Sequence, residues 1–141
     1  MKKAILFSLV VGMILMFASL AMAKKDDGAV PQPANLTCSV GDGLVTFNWD
    51  DVTEAVKYSL DVDVEIDSDN DGENDMTVEF SVSTIESLVN IAITDFKYDI
   101  DGNGSLDQLT GPATAKVKGL DPGKKKRQNN LFSLPCDFVL P

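Results

Sequence analysis

The 141-residue sequence contains no histidine. That removes the commonest general base and the commonest transition-metal ligand. No nucleophile motif takes its place, so enzymatic activity is not expected. Aromatic side chains are also scarce, with one tryptophan, two tyrosines and seven phenylalanines. A row of exposed rings, the usual platform for stacking sugars, is therefore hard to assemble. Basic residues are few: 12 Lys and Arg stand against 22 Asp and Glu, for a formal charge of -10. Such a chain repels nucleic acid and anionic membrane surfaces and attracts cations. Beyond the first twenty residues, no stretch is long and apolar enough to cross a bilayer.

What is present begins with a leader. MKK precedes the apolar run AILFSLVVGMILMFASL, then Ala21-Met22-Ala23, then the polar KKDDG. A basic start, an apolar centre and an A-x-A site are the layout of a secretory signal peptide over residues 1–23. The run is also long enough to serve as an uncleaved anchor. No cysteine follows the junction, so a lipid anchor is not expected. Removing residues 1–23 discards Lys2 and Lys3, which leaves the remainder more acidic still. An exported protein, periplasmic or secreted, with no membrane span after cleavage, is the expectation. The two cysteines, Cys38 and Cys136, read in that setting as a disulfide closing most of the domain. Two unpaired buried thiols are the alternative.

Residues 24–33 (KKDDGAVPQP) read as a flexible lead-in, and residues 34–141 as one β-domain. Period-two alternation dominates the domain. Ala34, Leu36, Cys38 and Val40 share one face of a first strand. Val45, Phe47 and Trp49 share one face of a second. Tyr58, Leu60, Val62, Val64 and Ile66 alternate with Ser59, Asp61, Asp63, Glu65 and Asp67, so a third strand is apolar on one side and acidic on the other. Met76, Val78, Phe80 and Val82 follow. In 84–98, Val89, Ile91 and Ile93 favour a strand. Phe96, Tyr98 and Ile100 then take over the inner face, a phase slip that a bulge would explain. Ala113, Ala115 and Val117 form a short strand, GLDPG a turn, and KKKRQNN a weak further strand. Phe132, Leu134, Cys136, Phe138 and Leu140 close the series. Seven or eight short strands with turns between them predict an all-β antiparallel sandwich. Both cysteines then lie on inward faces, on the first and last strands.

Three stretches resemble a fibronectin type III domain: PANL near the start, WDDVTEAVKYSLDV, and KVKGLDPG. The resemblance aligns Trp49 with that family's core tryptophan, Tyr58 with the tyrosine of the next strand, and Leu120–Gly123 with its L-x-P-G turn. It spans most of residues 33–140. The family's usual tyrosine three residues beyond that glycine is Lys126 here. The resemblance implies an immunoglobulin-like sandwich acting as an adhesive or spacer module, without catalytic residues.

Two acidic loops carry the chemistry. The first, IDSDNDGENDM, follows D-x-D-x-D-G-x-x-D, with Asp67, Asp69, Asp71 and Asp75 at positions 1, 3, 5 and 9. Gly72 permits the turn, and Glu73 offers its carbonyl at position 7. The second places Asp99, Asp101, Asn103 and Asp107 at the same positions, with Gly104 at the turn and Ser105 at position 7. Short carboxylates on alternate residues deliver oxygens to one point when the backbone curls. Calcium takes six to eight oxygens at flexible geometry, whereas magnesium demands a tighter octahedron. Zinc and copper prefer nitrogen or sulfur. Position 12, where a bidentate glutamate completes an EF-hand, is Val78 or Thr110. Glu65, Asp63 or water would supply the missing oxygens. With strands on both sides, the loops resemble those of thrombospondin type 3 repeats or dockerin modules. The plainer reading is a pair of solvated Asp/Asn/Gly turns. If 76–84 and 88–98 are both antiparallel strands, the two loops share one end of the sandwich as a joint acidic cap.

Other features read as structural. Asp50 and Asp51 are paired carboxylates without a cleft. Trp49, in alternation with Val45 and Phe47, belongs to the core. Lys124–Arg127 reads as a solvated basic edge, and Asn35-Leu36-Thr37 is a sequon only where the host glycosylates it. The resulting expectation is an exported, non-enzymatic, calcium-binding structural, adhesion or protein-interaction module. Its partner would be an extracellular or envelope protein, or a glycan; a carbohydrate-binding module is the alternative.

Overall fold

The computed structural model describes residues 30–124 and 131–141. The leader (1–23), most of the lead-in, and the KKKRQNN stretch from residue 125 to 130, with Lys126, lie outside the described residues. So do three of the four residues of the basic run.

The described chain forms β1 (Thr37–Gly41), β2 (Leu44–Asn48), β3 (Lys57–Ile66), β4 (Met76–Thr84), β5 (Leu88–Ala92), β6 (Lys97–Tyr98), β7 (Asp107–Gln108), β8 (Gly111–Leu120) and β9 (Cys136–Leu140). Two short 3-10 turns, Ile93–Asp95 and Pro122–Lys124, interrupt them. One sheet has the order β1-β2-β5 and the other β4-β3-β8-β9, while β6 and β7 make a small separate hairpin. Every pairing is antiparallel. Three strands packed on four in this order give a fibronectin type III-like sandwich, with the β6–β7 hairpin inserted between β5 and β8. Among the described residues, no helix is long and apolar enough to cross a membrane.

The alternation read from β3 is realised in full. Tyr58, Leu60, Val62, Val64 and Ile66 are all buried, and they meet Val45, Phe47 and Trp49 from the facing sheet. Ala113, Ala115 and Val117 of β8, with Phe138 and Leu140 of β9, complete the inner layer. Edge-to-face ring contacts join the layers: Phe47 to Phe138 at 5.5 Å and Trp49 to Tyr58 at 5.3 Å between centroids. Such pairs add to the burial of the rings themselves.

Some inner-face expectations need correction. Ala34 and Val40 are exposed, because β1 is a five-residue edge strand that covers little of the core. The phase slip after Ile93 is produced by the 3-10 turn Ile93–Asp95 and not by a bulge; it buries Phe96 while Tyr98 stays exposed. The last strand begins at Cys136 and not at Phe132. Pro135 has no N–H to donate to a ladder, and ahead of it Leu134 is 79 % exposed while Ser133 is buried. Ser133 earns that place by bracketing Val117. Its N–H donates to the Val117 carbonyl at 2.7 Å, and its Oγ accepts the Val117 N–H at 3.0 Å.

The packed region also starts earlier than residue 34. Val30 and Pro33, assigned to the flexible lead-in, are buried. Val30 lies over Gly119: a Cβ built on that glycine would sit 2.6 Å from Val30 Cγ1. Only glycine allows β8 this approach.

Cys38 and Cys136 form a disulfide. It ties β1, at the edge of one sheet, to β9, at the edge of the other, so it bridges the two sheets and not neighbours in one ladder.

Candidate functional site

The first acidic loop joins β3 to β4 directly. The second joins β6 to β7 just before β8 begins. Because β8 runs antiparallel to β3, with Val64 opposite Ala113, the start of β8 lies beside the end of β3. Both loops therefore stand at one end of the sandwich. They flank a crevice of about 390 Å³, lined by Asp67, Ser68, Asn70 and Asn74 from the first and Ile100 and Gln108 from the second side.

The two loops fold alike despite different residues. At position 1, Asp67 accepts the backbone N–H of Asp71 on Oδ1 (3.1 Å) and of Gly72 on Oδ2 (2.8 Å). Asp99 accepts those of Asn103 (3.0 Å) and Gly104 (2.8 Å) in the same way. At position 3, Asp69 and Asp101 each take a second contact from the position-5 N–H. At position 5, Asp71 and Asn103 each accept the N–H of position 7, Glu73 and Ser105. Left-handed backbone occurs at positions 4 and 6 in both: Asn70 and Gly72 at φ +60 and +95, Gly102 and Gly104 at +71 and +87. At three of these four places glycine carries no steric cost, and at the fourth asparagine tolerates the region better than most residues.

These hydrogen bonds aim the carboxylates inward. Asp67, Asp69 and Asp71 bring one oxygen each within 4.8 Å of one another, and so do Asp99, Asp101 and Asp107. A carboxylate has about four lone-pair sites, so an oxygen that holds one N–H can still face a cation. Exposed acidic clusters of this kind can in principle hold a metal.

Not every expected ligand joins its cluster. Asp75 is turned to Ser68, accepting its N–H at 3.1 Å and its hydroxyl at 2.9 Å. The equivalent Asp107 accepts the Ile100 N–H at 3.3 Å and remains in its group. Glu73 and Ser105 contribute backbone N–H groups to the loop frame. Asn103 also binds Asp101 through its side-chain amide at 2.7 Å. Neither proposed auxiliary acid turns toward the loops' centres. Glu65 accepts Asn74 Nδ2 at 2.9 Å, and Asp63 lies 3.8 Å from Lys116 Nζ. At position 12, Val78 is buried in the core. The residue that sequence reasoning passed over is Ser68, whose position-2 hydroxyl locks Asp75; a hydroxyl beside an Asp-rich repeat was the available signal.

Asp50 and Asp51 serve the fold. Asp50 accepts Asn35 Nδ2 at 2.7 Å, and Asp51 lies 3.4 Å from the Tyr58 hydroxyl. Trp49 is buried, as expected.

No family model matches the chain, and no curated protein matches it. Among solved structures, the chain is similar to the crystal structure of a Fn3-like protein from Clostridium thermocellum. The identity is 10%, the match covers 79% of this chain and 92% of that one, and the TM-score is 0.38.

Proposed function

We propose that this protein is an exported, non-enzymatic structural or adhesion module whose acidic end is ordered by calcium. The ligands would be Asp67, Asp69 and Asp71, with the Glu73 carbonyl, in one loop, where Asp75 would first have to leave Ser68 to join them. In the other they would be Asp99, Asp101, Asn103, Ser105 and Asp107. The observation that carries this reading is the shared frame: two loops of different sequence hold the same backbone donors on the same positions and gather three carboxylates apiece. A soluble turn needs Asp and Gly somewhere; it does not need three carboxylates converging twice, at positions 1, 3 and 5 in one loop and 1, 3 and 9 in the other. The donor set is all oxygen, which suits calcium, and water completes the coordination. Export is supported by the leader layout of residues 1–23 and by the Cys38–Cys136 disulfide. The partner class that fits is an extracellular or envelope protein.

Calorimetric titration of the protein with calcium, and separately with magnesium, tests the reading. Saturable calcium binding that magnesium does not match is expected. Titration heats no larger than dilution would overturn it.

A further inference from the structure

The two flanks of the sandwich are finished differently. On one, β1 and β9 are five residues each, and the disulfide joins them. Pro135 and Pro141 bracket β9. The other flank is formed by β4 and β5, the end strands of their sheets. Here β4 runs nine residues, MTVEFSVST, with no proline, no lysine and one charge, Glu79. End strands are normally blunted by prolines, lysines or short length, because unpaired N–H and C=O groups template pairing with another chain. The inner side chains of this flank are also incompletely covered: Met76, Phe80 and Val82 of β4, and Val89 and Ile91 of β5, are only half-buried.

We propose that β4 is a self-association edge, which pairs antiparallel with β4 of a second copy about a twofold axis at Phe80. The register follows from side-chain chemistry. Residues directly opposite must share a sheet face, so the twofold passes through a residue and not between two. Centring on Glu79 would oppose two carboxylates, a destabilising pair. Centring on Ser81 would leave Met76 and Thr77 without partners inside β4. Centring on Phe80 pairs all nine residues and puts apolar against apolar at the middle of the inner face: Val78 meets Val82 and Phe80 meets Phe80, with Met76 against Thr84 at the ends. On the outer face Glu79 meets Ser81 and Thr77 meets Ser83. The same operation sends the two acidic ends to opposite poles, which keeps the largest like charges apart. The contact is isologous and closes on itself as a dimer.

Sedimentation of the purified protein over a concentration series tests this. A reversible dimer is expected. A monomer at every concentration up to about 1 mM overturns it. Two double variants then test the register at exposed positions that face each other across the axis. Thr77→Lys with Ser83→Lys opposes lysines twice and should raise the dimer dissociation constant at least tenfold. Thr77→Lys with Ser83→Glu opposes unlike charges and should return it to within threefold of the parent. The variants differ only at residue 83, so a folding defect from Thr77→Lys would appear in both. Equal dimerisation of both variants overturns the pairing. So does a dimer that forms only with calcium and dissolves in EDTA, since that contact would run through the acidic ends. Amide exchange slowed in 76–84 on dimerisation would support it; exchange slowed elsewhere alone, as expected for an unrelated contact, would overturn it.

Discussion

Cys38 and Cys136, 98 residues apart in the chain, lie 6.1 Å apart between Cα atoms and fasten the outer strand of one sheet to the outer strand of the other. Beyond this bond, β1 is held chiefly by its ladder to β2. On the chain-entropy account a crosslink over so long a loop stabilises by about 4 to 5 kcal/mol, because it removes freedom from the unfolded chain. A typical domain has only about 5 to 15 kcal/mol in total. Replacing both cysteines with alanine should therefore cost a large fraction of the stability. Denaturant unfolding of the variant, or of the parent with and without reductant, measures it.

Tyr58 is the second fixed point. Its hydroxyl accepts the Val52 N–H at 2.8 Å and faces Asp51. This pins the β2–β3 connection against the core, beside Trp49. Tyr58→Phe leaves the ring packing intact and strips Val52 of its acceptor, so a loss of about 1 to 3 kcal/mol is expected at neutral pH. Burial, opposed by the Val52 hydrogen bond and assisted by the Asp51 charge, raises the phenol above its ordinary value of 10.0. The folded state thus favours the neutral phenol. That contribution is fully present below pH 10 and is lost as the pH climbs from 10 through the folded-state value, because the unfolded chain ionises first. The parent should lose stability more steeply above pH 10 than Tyr58→Phe does. Urea unfolding at a series of alkaline pH values compares the two slopes.

How far such features could be read ahead depends on the range of the interaction. The inner row Tyr58 to Ile66 was legible because β3 is central, buried on one face and strictly alternating. The loops were legible because the spacing of their acids is local. Asp61 was not: it sits on the acidic outer row, yet it is 7 % exposed, with Ser81 Oγ at 2.7 Å and Ser59 Oγ at 3.1 Å donating to it. Ser81 is on β4, so that partnership is a product of register. The exchange of Leu134 for Ser133 at the core depends likewise on Val117 of β8. Alternation also placed the cysteines inward without saying that their strands belong to different sheets. Period two reports which face a residue occupies; it does not report which sheet the face belongs to.

Gly119 shows the same dependence on distant sequence. An added Cβ would meet Val30 Cγ1 at 2.6 Å and Ala55 Cβ at 3.1 Å. Gly119→Ala should cost about 1 to 3 kcal/mol through overpacking. Val30→Ala should also destabilise when made alone, by opening a gap. Combined, the two changes should cost less than their sum, since the second makes room for the first. Thermal unfolding of the three variants closes this cycle. Strict additivity would mean that Val30 does not lie over Gly119 in solution.

Position 1 of each acidic loop is where calcium binding and loop architecture can be separated. Asp67 and Asp99 each hold two backbone N–H groups and each contribute an inward oxygen. Asn keeps one acceptor for the loop but removes the charge the cation needs. A ligand bound only by the folded state adds roughly 2.7 kcal/mol per site when present at a hundredfold excess over its dissociation constant. The parent should therefore melt higher in calcium than in EDTA. Asp67→Asn or Asp99→Asn alone should remove about half of that difference, if the loops bind independently, and the double variant should remove nearly all of it. In EDTA the variants should lose a little stability, because the Asn amide nitrogen cannot accept the second backbone N–H, a loss that relief of repulsion among the gathered acids offsets only in part. Scanning calorimetry in calcium and in EDTA reads both effects. Variants that lose stability equally in the two solutions would assign these aspartates to the turn alone.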